Sequence, residues 1–202
     1  MGYKTKVVAL VLCLTFIVSA RAYSQSQKFI GFSYQVSTPL SDTKSFTDDF
    51  SFRNVGFDAR SEIRRNVTVG LSLGWNVFGA QTNEVVSIGA FDGSGTQRRF
   101  VNAFPILVTT HYYFGLPGSM GPRPYVGAGV GTYYIDNRLE VGTVAINDSN
   151  WHFGVAPEAG IVFSLNRDTA AFVNARFNYA VKSGNFTHAY WGFGVGLAWQ
   201  TY

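Results

Sequence analysis

Asp58, Arg60 and Glu62 stand at alternate positions, and Glu158 and Arg176 sit alone in stretches otherwise poor in charge. Alternate residues of a strand project from one face, so the first three share a side of the sheet, and all five fall on the face opposite the apolar residues. Acids and guanidiniums gathered inside a protein have two uses. They can form a polar pathway or gate, or they can pair into a network that fills a narrow interior, because a buried charge has to be compensated. Three acids against two bases nearly balance, which favours the paired network. The other reactive groups form no constellation. His111, His152 and His188 are dispersed and lack metal-ligand spacing. The run Gly127-Ala128-Gly129-Val130-Gly131 would need to open a helix to cradle a dinucleotide. Tyr133-Tyr134 continues a strand instead, so the glycines are expected to leave room for bulky neighbours. No catalytic residue, cofactor or metal is expected.

The elements that position these side chains read as strands. The last, over 189–202, places Trp191, Phe193, Val195, Leu197 and Trp199 on one face and Gly192, Gly194, Gly196, Ala198 and Gln200 on the other. Seven more alternating segments precede it, at about 28–37, 50–63, 67–78, 98–114, 124–135, 151–163 and 169–181. Their apolar sets contain no Asp, Glu, Lys or Arg. A basic residue facing mid-membrane lipid costs about 2–4 kcal/mol, so a charge-free apolar face backed by a small, polar-tolerant one suits a barrel in a bilayer. A soluble barrel would invert the pattern. The predicted fold is all-β, an eight-stranded antiparallel up-and-down transmembrane β-barrel. The last strand should pair antiparallel with residues 29–36, with Trp191 toward the outer rim and Trp199 toward the periplasmic one. Longer loops at 38–49, 79–97 and 136–150 alternate with short turns. That asymmetry places the loops outside the cell and the turns in the periplasm. Pro105 and Pro157 lie within proposed strands and are expected to mark bulges or strand boundaries.

The beginning of the chain reads as an export leader. Lys4 and Lys6 precede an apolar run from Val7 to Val18 broken only by Thr15, and Ala20-Arg21-Ala22 offers small residues at both positions a signal peptidase reads. The run is shorter than the ~20 residues of a spanning helix. Residues 1–22 are therefore expected to be a cleaved signal peptide and 23–202 one barrel domain. Cys13, the only cysteine, lies in the leader, so no disulfide is expected. Removing the leader takes away Lys4, Lys6 and Arg21 and no acid. The net charge then falls from +4 to +1, a poor match to a nucleic-acid partner.

The leader, the eight alternating segments, the segment Pro124-Tyr125-Val126-Gly127-Ala128-Gly129-Val130-Gly131 and the aromatic, glycine-alternating last strand resemble the outer-membrane β-barrel domain family. This is the group of small barrels that includes the OmpA transmembrane domain, OmpX and OmpW. The resemblance covers the whole mature chain. It implies residence in the bacterial outer membrane, lipid around the barrel, and handling by the barrel-insertion machinery, whose signal is an aromatic last residue in phase with the outer face. Here Trp199 is in phase and Tyr202 is not. The leading expectation is an integral outer-membrane protein with a structural or surface-interaction role and no catalytic activity, able to meet an extracellular partner through 38–49, 79–97 and 136–150. The alternatives are a small-solute channel of OmpW type and an outer-membrane lipid-modifying enzyme. The family's enzymes pair a serine with a histidine, and no His-x-Ser occurs here.

Overall fold

The structure, a computed structural model, describes residues 28–40, 50–82, 85–88, 91–94, 97–115, 121–141, 144–183 and 186–201. The leader reading of 1–22 and the end residue Tyr202 lie outside these residues. Alternation with period two over long stretches rich in β-branched, aromatic and glycine residues gives strands throughout. They are β1 (Lys28–Leu40), β2 (Ser51–Arg64), β3 (Val67–Thr82), β4 (Val85–Ile88), β5 (Phe91–Ser94), β6 (Gln97–Tyr113), β7 (Pro122–Val141), β8 (Val144–Ser164), β9 (Thr169–Ser183) and β10 (Phe186–Thr201). Eight close into an antiparallel barrel in the order β1-β10-β9-β8-β7-β6-β3-β2, while β4 and β5 form a separate hairpin. β10 closes it by pairing with β1 in unbroken register from Lys28↔Thr201 to Leu40↔Ala189.

The apolar faces point outward. Phe32, Val55, Trp75, Val108, Val130, Phe153, Val195 and Trp199 are all well exposed. Rings form a row across four strands at one height: Trp75 stacks on Phe104 (6.0 Å between centroids), and Phe104 meets Tyr134 (6.2 Å) and Tyr134 meets Trp151 (5.2 Å) with tilted planes. The outward face turns polar just beyond this row, with Asn102 after Phe104, and Asp136 and Arg138 after Tyr134. At the other end, Trp199 meets Phe32 edge-on at 6.4 Å and Tyr112 meets Phe114 at 5.1 Å. An apolar outer band between two aromatic girdles is the exterior of a membrane-spanning barrel.

Both prolines sit in register. Pro105 faces Tyr133 on β7, and Pro157 faces Ala128 on β8's β7 side. Each interrupts only its other ladder, where a prolyl nitrogen has no hydrogen to donate. β3–β6 pairing skips from Leu73↔Ile106 to Asn76↔Ala103, and β8–β9 pairing from Val155↔Tyr179 to Glu158↔Arg176, neither with a register shift. The expected bulges are absent at both sites. Gly74 accommodates the ring opposite it, since a Cβ there would stand 2.9 Å from Pro105 Cγ.

Two of the three expected loops are strand. Segment 79–97 holds the end of β3, the β4–β5 hairpin and the start of β6. Segment 136–150 is a hairpin whose arms pair from Asp136↔Ser149 to Val141↔Val144. In the third, β1 continues to Leu40 and 41–49 lie outside the described residues. With 20 residues in β7 and 21 in β8, these strands are about twice the 9–11 that cross a bilayer. Beyond the girdle a strand needs no greasy face, so its composition looks like a loop's.

The result is a four-stranded sheet, β3-β6-β7-β8, projecting past the girdle of Trp75, Phe104, Tyr134 and Trp151. β8 pairs with β9 only from Gly154 downward, and β3 with β2 only from Trp75. Side chains seal both points of departure. Val181 C=O meets His152 Nδ1 at 3.1 Å. Asn54 Oδ1 accepts the Val77 N–H at 2.9 Å, and Ser51 Oγ donates to Val77 C=O. A β2 bulge beside Gln35 and Ser37 supplies these last two groups and turns both Phe52 and Arg53 outward.

Candidate functional site

An eight-stranded barrel is just wide enough for its own side chains, and here they fill it in layers. Phe29, Tyr113, Tyr125 and Phe172 occupy the half nearer the short turns, and Leu107, Tyr133, Tyr190 and Phe78 the half nearer the projecting sheet. Between them lies a charged belt. Asp58, Arg60, Glu158 and Arg176, brought in by β2, β8 and β9, are each at most 6% exposed.

Glu158 is the hub. Its Oε2 accepts from Arg176 Nε at 2.6 Å and also contacts Arg176 Nη2. Its Oε1 accepts from Arg60 Nη2 at 3.2 Å and Tyr125 OH at 2.7 Å. Asp58 Oδ1 accepts from Arg176 Nη2 at 3.3 Å and stands 3.5 Å from Arg60 Nη2. Two further guanidinium donors reach Ser72 Oγ (2.7 Å, from Arg176) and Tyr113 OH (3.1 Å, from Arg60), while Arg60 Nε and Asp58 Oδ2 have no hydrogen-bond partner among the described residues. Arg60 also lies over the Phe29 and Tyr125 rings, 5.0 Å from each centroid. Two acids and two bases cancel, and each carboxylate serves both guanidiniums. A belt so compensated has the geometry under which buried ion pairs hold, with charge-assisted hydrogen bonds on nearly every donor.

Glu62, grouped with these four by parity, is elsewhere. It lies nearer the β2–β3 turn, four residues and about 13 Å along the strand from Asp58 and two residues and about 7 Å from Arg60, and its Oε1 accepts the Asn66 N–H at 2.9 Å. Asn66 holds φ 66°, a left-handed conformation that asparagine tolerates, and Glu62 ties down the amide this turn exposes. Three neighbours were not joined to this group from sequence, among them His111, read there as dispersed. Tyr113, Tyr125 and His111 enter from β6 and β7, and His111 Nε2 stands 3.8 Å from Glu158 Oε1. The inward glycines were the available signal. A Cβ on Gly127 would lie 2.3 Å from His111 Cδ2, and one on Gly160 would lie 2.6 Å from Tyr125 Cζ. Gly127→Ala should therefore cost about 1–3 kcal/mol as His111 is forced aside. Urea unfolding in detergent micelles checks this.

His152 and His188 pack edge-on at the outer end, 5.3 Å between centroids. Among the described residues no group of three or more His, Cys, Asp and Glu is placed to hold a metal.

A closed eight-stranded barrel with a lipid-facing exterior and a paired charge belt defines a small integral membrane barrel of the bacterial outer membrane. The chain belongs to the outer membrane protein beta-barrel domain family, whose model matches residues 8–199. Solved structures with this fold include Ail, the attachment invasion locus protein of Yersinia pestis, in complex with the heparin analogue sucrose octasulfate (TM-score 0.57, 13% identity, 87% of this chain and 99% of that one). They also include the N-terminal β-barrel domain of Pseudomonas aeruginosa OprF (0.53, 18%, 88% and 100%) and Neisserial surface protein A (0.53, 12%, 88% and 98%). Among curated proteins none matches the chain in sequence.

Proposed function

We propose that this outer-membrane barrel is a non-catalytic surface-interaction protein, its filled barrel an anchor and its projecting β3-β6-β7-β8 sheet the working part. The observation that carries this is the outer half of β8. Over residues 144–153 its β9 side has no strand neighbour among the described residues. Natural sheets defend such edges with proline, lysine or a bulge. This segment has no proline or lysine and a single charge, Asp148, and its pairing with β7 is continuous. A lightly defended edge outside the cell is suited to adding an extended segment of a partner protein as a further strand.

The heparin analogue bound by Ail suggests polyanion capture as another use of such a surface. Charge argues against it here. The sequence at the outer end, within 41–53, 84–99, 136–148 and 182, holds six Lys and Arg against eight Asp and Glu. A channel is disfavoured by the layered filling of the lumen. A lipid-modifying enzyme finds no support at His111, which stands against Glu158, or at His152, which meets the Val181 carbonyl. The insertion machinery would engage β10, whose Trp199 faces outward.

The test is display of the chain on cells and binding to an array of purified extracellular and matrix proteins. Asn147→Lys with Ser149→Lys charges the edge without touching the barrel. Binding should fall at least about tenfold, or about 1.4 kcal/mol, while heat-modifiable migration on gels stays unchanged. Binding that survives both lysines removes the edge from the interaction.

A further inference from the structure

We propose that the periplasmic rim is a collar for the headgroups of anionic glycerophospholipids. Lys28, Arg64, Arg65 and Arg167 are all exposed at this end. A fifth cation, Arg123, is turned inward, its Nη2 donating to Asn66 Oδ1 at 3.3 Å and its guanidinium 4.9 Å from the Tyr113 ring. Only Glu62 and Asp168 oppose them in the sequence of this rim, and Glu62 is held by the Asn66 amide. No described carboxylate forms an ion pair with Arg64, Arg65 or Arg167. The rim is thus +3 in formal charge, the belt is neutral and the outer end is −2, which together make the +1 of residues 23–202. Of the three zones only this rim is basic, where the barrel meets the periplasmic leaflet.

Depth points to lipid phosphate. On their bilayer side the exposed arginines are bordered by Ile63, Phe114 and Leu165, which are 50%, 47% and 61% exposed. Apolar groups of that exposure belong in the acyl boundary, which sets the adjoining guanidiniums at the level of the headgroups. A guanidinium binds phosphate through two parallel N–H donors. Anionic lipid adds Coulomb attraction, worth about fivefold in lipid preference for each basic residue at the surface.

The barrel is reconstituted in nanodiscs of phosphatidylcholine mixed with phosphatidylglycerol, and the lipids it retains on release are counted by native mass spectrometry. The wild-type barrel should retain phosphatidylglycerol above its bulk share. Arg64→Gln, Arg65→Gln and Arg167→Gln together should bring retention most of the way down to the bulk share, and Arg65→Gln alone should lower the preference by up to about fivefold. The three corresponding Arg→Lys changes should keep most of the enrichment, and Arg53→Gln at the opposite rim should keep all of it. Should the triple glutamine variant fail to fold, Arg65→Gln alone carries the comparison. A wild-type barrel with no preference for phosphatidylglycerol overturns the proposal, as does equal loss with Arg53→Gln. Inorganic phosphate that abolishes the enrichment assigns the rim to a soluble anion. Peptidoglycan fragments retained in place of lipid assign it to the wall. Either result also overturns it.

Discussion

Glu158→Gln should destabilise the folded barrel by about 3–5 kcal/mol, the cost of leaving buried charge uncompensated. The substitution keeps the shape and removes the charge that both Arg60 and Arg176 use. Asp58 then faces two guanidiniums alone, and its Oδ1 already serves both. The companion change decides the mechanism. In Glu158→Met with Arg176→Met one acid and one base leave together, and Asp58 stays paired with Arg60. The double variant should recover most of the loss, because replacing a buried pair with apolar groups of similar volume is often neutral. A coupling energy of about 2 kcal/mol or more, in the cycle whose single variants are Glu158→Met and Arg176→Met, is the expected signature. Unfolding by urea in lipid vesicles supplies the free energies, and planar-bilayer recording supplies a second readout. If the belt seals the lumen, Glu158→Gln should conduct more often than the parent. If the belt were a solute pathway, the parent itself would conduct and the variant less.

The faces of the strands were legible in the sequence because a strand has a fixed period of two, and eight segments kept it. Trp191 to Trp199 needed no partner to declare which side meets lipid. Height was not legible. Asp58 and Glu62 share parity, so both read as interior, yet one sits in the charged belt and the other clasps a turn. Only the stagger of neighbouring strands decides which interior residues meet. That stagger brings Tyr125 from β7 and Arg60 from β2 to one carboxylate on β8. The projecting sheet was hidden for a different reason. Outside the bilayer a strand may be polar on both faces, and 136–150, with its Asp136, Arg138, Glu140 and Asp148, reads like a loop by every local signal. Its pairing is specified by the strands it extends. The prolines show the same limit. A lone residue forecasts a broken hydrogen bond, but the second ladder keeps Pro105 and Pro157 in register.

Val195→Arg should cost about 2–4 kcal/mol, and this one substitution separates a lipid-facing exterior from a water-facing one. Val195 lies midway between Trp191 and Trp199 on β10, 57% exposed, beside Tyr34 of β1 and Val173 of β9. Four residues to either tryptophan is about 13 Å along the strand. That is too far for the guanidinium to reach either headgroup layer without bending the chain or thinning the bilayer. On a water-facing surface the same change would fall within about 0.5 kcal/mol. Thr201→Arg, on the same outward face beyond Trp199, is the matched control. It sits at the rim, where the cost drops to about 0–1 kcal/mol, and it adds to a ring already made of Lys28, Arg64, Arg65 and Arg167. Urea unfolding in vesicles, followed by tryptophan fluorescence, should show the depth dependence directly. Equal small effects at both positions would mean that the apolar face of β10 does not meet lipid, and the girdles would then need another explanation.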